Sequence, residues 1–284
     1  MDDYRLWRSA LFLPAANARA IVKARSLDCD AVILDLEDAV APAAKPAARD
    51  AAVAAVRDGG WGHRAVLIRV NALVTPWSED DFAAFAGLDG LDGLVVPKVG
   101  DAADAAVAVS RAGSVPIWAM IETPRAVLTA DSIAATPGVA ALVAGTNDLG
   151  ADLRARPHCD RLPLLLSLSR IVLAARAASI FAFDGVFNSL TDAMGLAREA
   201  NHGRDLGFDG KSVIHPGQIA AVNAAFGPSA GEIAAAHGLI ATFDTVLAKG
   251  SGVTAHGGAM VEALHVAAAR RLLAQAAAVA ARAA

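Results

Sequence analysis

The sequence predicts an α/β chain folded as a (β/α)8 TIM barrel with a C-terminal helical extension, and three observations carry that prediction. Short apolar runs rich in β-branched residues alternate with alanine-rich helical stretches, the pattern of parallel β/α units. Eight such units fit into the first ~225 residues, which suits a closed barrel. An open doubly wound sheet would place a glycine-rich phosphate turn after its first strand, and "LFLPAANAR" has none.

The expected strands, in order, are "ALFLP", "AVILDL", "AVLIRVN", "GLVVPKV", "PIWAMIE", "VAALVAGT", "SIFAFDGV" and "FDGKSVIHP". Helical segments are expected at 17–27, 45–57, 101–112, 124–135, 160–177 and 191–205. The barrel domain is assigned to 1–228 and the extension to 229–284, with helices at 229–248 and 259–283. The glycine-rich "KGSGVTAHGG" between them reads as a flexible joint. The last helix then either packs on a neighbouring subunit or closes over a site, or it lies as a frayed alanine-rich helix on the outside of the barrel.

With 55% hydrophobic and 19% charged residues in 284, the chain has ample material for a core. A net charge of -4 gives no broad basic surface for nucleic acid. Cys29 and Cys159 stand alone, outside any zinc or disulfide spacing. The N-terminal "ALFLPAA" does not fit a secretory signal, and no run reaches the roughly 18 apolar residues of a membrane span. A soluble, cytoplasmic protein is expected.

Barrel chemistry sits at the C-terminal ends of the strands. Here those ends carry Asp35, Glu37 and Asp38; Arg69 and Asn71; Lys98; Glu122; Asn147 and Asp148; Asp184; and Lys211 with His215. All are expected to converge on one mouth. Clustered carboxylates repel, and a hard divalent cation relieves the conflict; oxygen-only donors favour Mg2+ or Mn2+ over zinc. Glu122 and Asp148 are the best ligand pair, Glu37 and Asp38 would hold the water around the metal, and Asp35 would be tied to an Arg or Lys. Any one of these acids could instead cap the following helix. Arg69 needs an anionic partner, either an acid or a substrate oxygen. Lys98 is a charge partner or, less favoured, a Schiff-base lysine. Ser9, Ser212 and His215 lack a nucleophile-elbow context, and His202, His237 and His256 have no assignable partner.

The stretches "RSALFLPAANARAIVKA", "DAVILDLEDAVAPAAKPAAR", "IRVNAL", "GLVVPKV", "MIETPRAV", "GTNDLGADL", "FDGVFNSLTD", "LGFDGKSVIHPGQIAAVNAAFGPS" and "AMVEALH" resemble the citrate lyase beta-subunit and malyl-CoA lyase family of the HpcH/HpaI aldolase superfamily. The resemblance implies a magnesium-dependent barrel acting next to a CoA thioester, with a 2-oxo acid and an acyl-CoA as small-molecule partners and assembly into homotrimers or hexamers. It implies Glu122 and Asp148 as metal ligands, Arg69 on the thioester enolate and substrate oxygens, Glu37 and Asp38 around the metal's water, and Arg19 and Lys23 toward the CoA phosphates. The proton-abstracting aspartate of the family's C-terminal motif is matched by Glu262, and Leu264 stands where proline is usual. The expected activity is therefore carbon–carbon cleavage of malyl-CoA, β-methylmalyl-CoA or citramalyl-CoA. The alternatives are a malyl-CoA thioesterase and a carrier-dependent, non-catalytic citrate lyase beta-like subunit.

Overall fold

In the computed structural model, which describes residues 5–248 and 252–283, eight parallel strands close on themselves in sequence order. They are β1 (Ser9–Pro14), β2 (Ala31–Asp35), β3 (Ala65–Arg69), β4 (Gly93–Val96), β5 (Ile117–Ile121), β6 (Val139–Ala144), β7 (Phe181–Asp184) and β8 (Gly210–Val213). Around them lie α1 (Ala18–Ala24), α2 (Lys45–Asp58), α3 (Ser78–Phe85), α4 (Ala102–Ala112), α5 (Pro124–Leu128), α6 (Ala130–Ala134), α7 (Thr146–Asp152), α8 (Leu165–Ala177), α9 (Ala193–Leu206) and α10 (Ile219–Phe226). The expected barrel is thus observed. The single helix expected over 124–135 is two: Thr129 breaks it, with its hydroxyl donating to Gly100 O and Arg125 O.

Two compact units divide the chain, Trp7–Asn223 and Ala224–Ala284 with Met1–Leu6. The second holds α11 (Ala230–Leu247), β9 (Thr254–His256), β10 (Ala259–Val261) and α12 (Ala263–Ala283). Ser229 and Glu232 cap α11 reciprocally, and Phe243, Val261 and Val266 form a small core. The stretch read as a joint is, over its described part, an antiparallel hairpin. Gly257 and Gly258 both have positive φ, 57° and 83°, which a two-residue turn of the type I′ class requires. Residues 249–251 of that stretch lie outside the described residues. No helix among the described residues is long and apolar enough to cross a membrane.

The barrel interior follows from strand parity, since alternate residues face one side. Ala31 and Ile33, Ala65 and Leu67, and Trp118 and Met120 point inward, joined by Val95, Val143 and Phe183. At the N-terminal end Trp7, Trp118 and Phe183 form an aromatic plug, with Trp7 and Trp118 ring centroids 5.0 Å apart. A Cβ at Gly93 would come within 2.9 Å of the Trp118 indole, so glycine makes the room. Beneath the plug Arg8 clasps buried Asp30 through Nε at 3.0 Å and Nη2 at 2.8 Å.

Candidate active site

Continuing the same parity one step up places Asp35, Arg69 and Glu122 on the inner wall at the C-terminal mouth. There they line a cleft of about 420 Å3 together with Phe12, Asp148 and Asn188. The register sets Asp35 beside Arg69 on neighbouring strands. The two are joined by a bidentate pair, Nε to Oδ1 at 2.7 Å and Nη2 to Oδ2 at 2.6 Å. Asp35 also accepts the backbone N–H groups of Glu37 and Ala39, so it shapes the "LDLEDAV" turn while anchoring the arginine.

The third nitrogen of Arg69, Nη1, meets Glu37 at 2.8 Å and Asp38 at 3.4 Å, and its guanidinium lies over the Phe12 ring. One cation serves three carboxylates. Burial opposes the Arg69 charge, yet its bonds and charge coupling to Asp35, and then to Glu37 and Asp38, raise its pKa. Burial pushes Glu37 up to about 7 against the opposing pull of Arg69, with Asp38, Glu122 and Asp35 adding to the rise.

Across the mouth, Glu122 is 3% exposed. Its Oε1 accepts the Lys98 backbone N–H at 2.6 Å, while the Lys98 ammonium pairs with Asp148 Oδ2. Gly145 joins the two acids in space. Its N–H donates to Ile121 O at 3.1 Å, and a Cβ there would lie 2.3 Å from Glu122 Cβ and 2.5 Å from Oε2. The strand-end turn therefore wraps directly over the glutamate. Burial, offset by Lys98 and reinforced by Asp148, raises the Glu122 pKa. A buried and a half-exposed carboxylate at a polar mouth form a hard-oxygen pair with unbalanced negative charge, which fits a divalent cation of the magnesium type.

Several residues expected at the mouth are elsewhere. Phe183 faces inward, so Asp184 faces outward, and its register partner Lys211 does the same. Fully buried Lys211 donates to Asp184, Gly185 O and Glu199, and Arg161 grips Asp184 from the other side. This network lies between the barrel wall and α9 and does not reach the cleft. Burial works against the Asp184 charge, but Lys211 and Arg161 hold its pKa below the usual range. Asn71 instead bridges Lys45 and Asp81, and His215 is exposed, its Nδ1 accepting the Gly217 N–H.

Arg19 and Lys23 lie one turn apart on the exposed face of α1. Glu262 belongs to the C-terminal unit, where its backbone N–H donates to His265 Nδ1 at 3.0 Å. His202 does have a partner, Arg161 Nη2 at 3.0 Å, and His256 has Thr242. One cleft residue escaped sequence reasoning, and another was weighed there only as a nucleophile. Asn188 exchanges amide hydrogen bonds with Asn147, at 2.7 and 3.2 Å. Ser212, the residue weighed as a nucleophile, lines the cleft with a buried hydroxyl that has no partner among the described residues, and the inward parity of β8 was the signal that could have placed it there.

A model of the HpcH/HpaI aldolase/citrate lyase family matches residues 8–216. A Cereibacter sphaeroides (strain ATCC 17025 / ATH 2.4.3) protein named (3S)-malyl-CoA thioesterase is 44% identical over 275 residues, 97% of this chain and 96% of that one. Citrate lyase subunit beta of Leuconostoc mesenteroides subsp. cremoris is 35% identical over 285 residues, 96% of this chain and 94% of that one. The crystal structure of CitE from Mycobacterium tuberculosis in complex with magnesium, acetoacetate and coenzyme A superposes with a TM-score of 0.79. It is 33% identical and covers 95% of this chain and 97% of that one. These matches correct the expectation of a carbon–carbon lyase, because the thioesterase relative is the more similar by 44% to 35% over nearly the whole chain. Cleavage and hydrolysis both start from an acyl-CoA thioester at a carboxylate-rich mouth, so the barrel motifs do not tell them apart.

Proposed function

The chain belongs to the HpcH/HpaI aldolase/citrate lyase family, and from that premise we propose that it hydrolyses a small 3-hydroxyacyl-CoA thioester of the (3S)-malyl-CoA type to the free acid and CoA. The observation that carries the reading is the 44% identity, over 97% of this chain, to a protein named (3S)-malyl-CoA thioesterase.

In this proposal Glu122 and Asp148 hold Mg2+, with Mn2+ as the other suitable ion. When bound, the cation polarises the oxygen atoms of the hydroxyacyl group. Arg69, pre-aligned by Asp35, offers positive charge to the oxygen on which charge builds as water adds to the thioester carbon. Glu37 and Asp38 brace Arg69 and the polar rim beside it. Glu262 is the proposed acceptor of the attacking water's proton, and the leaving sulfur takes a proton as the C–S bond breaks. Arg19 and Lys23 are proposed to meet the CoA phosphates. Residues 229–284 are proposed to contact a neighbouring subunit in a homotrimer or hexamer.

The test is to incubate the full chain with (3S)-malyl-CoA and Mg2+ and follow free thiol and malate. Stoichiometric CoA and malate support the reading. Acetyl-CoA with glyoxylate, or no thiol release, refutes it. Glu122→Ala is expected to abolish the release.

A further inference from the structure

Lys98 touches both acids of the proposed metal pair, in two different ways. Its backbone N–H is fixed on Glu122, whereas its ammonium reaches Asp148. The backbone contact holds the residue at φ 55°, in the left-handed region that side-chain-bearing residues rarely occupy. The restraint on Lys98 is therefore its main chain. The side chain itself is 46% exposed, so the ammonium can swing into water without crossing the core. Glu122, at 3% exposed, has no such freedom.

Charge sets the consequence. Two carboxylates face one ammonium, and Asp148 cannot hold both that ammonium and a divalent ion without strong repulsion between the cations. We propose that Lys98 is the resident counter-ion of the Glu122–Asp148 pair, and that a divalent cation enters by displacing its ammonium from Asp148. Lys98 then keeps the two acids together before the metal arrives and lowers the affinity with which the metal is held. The inference rests on the metal assignment above, not on the reaction.

The experiment measures Mn2+ binding to the full chain without substrate, by loss of the free-ion electron paramagnetic resonance signal. Lys98→Met keeps the backbone N–H and removes the charge, and Lys98→Gln does the same should the methionine variant fail to fold. Either is expected to bind Mn2+ at least tenfold more tightly than wild type, and Lys98→Arg to stay within about threefold. Equal or weaker binding by the neutral variants overturns the proposal. So does the absence of Mn2+ binding to wild type, or full binding by Glu122→Ala, since either removes the metal assignment beneath it. Thioester hydrolysis is not part of the readout: tighter binding by Lys98→Met supports the proposal even if malyl-CoA is not hydrolysed.

Discussion

Replacing Gly145 with alanine puts a methyl group where Glu122 already sits. The backbone at this residue, φ -93° and ψ 74°, does not demand glycine; the space does. The new Cβ would lie 2.3 Å from Glu122 Cβ and 3.2 Å from its Cδ, so relief to ordinary carbon contact needs a shift of about 1 Å. Glu122 Cβ is tied to the end of β5, and that end is bonded to Gly145 itself through Ile121 O. The overlap is thus resolved by spreading the two strand ends. Overpacking of this kind costs about 1–3 kcal/mol, and losing the strand-end hydrogen bond adds roughly 1 kcal/mol. Urea unfolding followed by tryptophan fluorescence reads the effect in the right unit, since Trp7, Trp61, Trp77 and Trp118 are the only tryptophans and all lie in the barrel. Gly150 in α7 is the control, with nothing within 4 Å of an added Cβ, so Gly150→Ala is expected to be neutral or slightly stabilising. Gly145→Ala is expected to lose about 2–4 kcal/mol and to weaken Mn2+ binding, because Glu122 moves with its strand. A loss under ~0.5 kcal/mol with unchanged Mn2+ affinity would show that the turn does not shape the glutamate.

Two further outcomes are expected. Because burial raises Glu37 from 4.5 to about 7, the folded barrel binds this proton more tightly than the unfolded chain does. The contribution of Glu37 to stability should therefore fall as pH rises from 4.5 through 7, by on the order of 3 kcal/mol. Glu37→Gln lacks that dependence, so the urea-unfolding curves of the two proteins should diverge with rising pH; parallel curves between pH 4.5 and 8 would contradict the burial argument. Asp30→Ala takes from the buried guanidinium of Arg8 its bidentate partner and leaves it the exposed Asp28 at 3.8 Å, which should cost about 3–5 kcal/mol, mostly recovered in Arg8→Met with Asp30→Leu; a loss below ~1 kcal/mol would mean that Asp28 or water compensates Arg8.

The barrel was legible because its strands announce themselves by composition and length. The mouth was legible wherever parity could be counted, since Asp35, Arg69 and Glu122 each stand two residues beyond an inward apolar one, namely Ile33, Leu67 and Met120. The same count would have turned Asp184 and Lys211 outward, because Phe183 and Ser212 take the inner positions; reading strand ends as a set, without parity, put them at the wrong place. The ion pair between Lys98 and Asp148 spans 50 residues and depends on how the turn after β4 meets the first turn of α7, which no local pattern encodes. The hairpin at Gly257 and Gly258 did carry a signal, the paired glycines, but the strands on either side, Thr254–His256 and Ala259–Val261, are too short to read as strand.

The wall that separates Asp35 and Arg69 from Asp184 and Lys211 is one polypeptide thick. On its inner side five carboxylates share Arg69 and Lys98; on its outer side Lys211 and Arg161 balance Asp184 and Glu199. Only the outer circuit closes on itself, and the apolar sheet between the two acts as insulation. The surplus negative charge is therefore confined to the inner side, while the charges that fasten α9 to the wall are matched pair by pair.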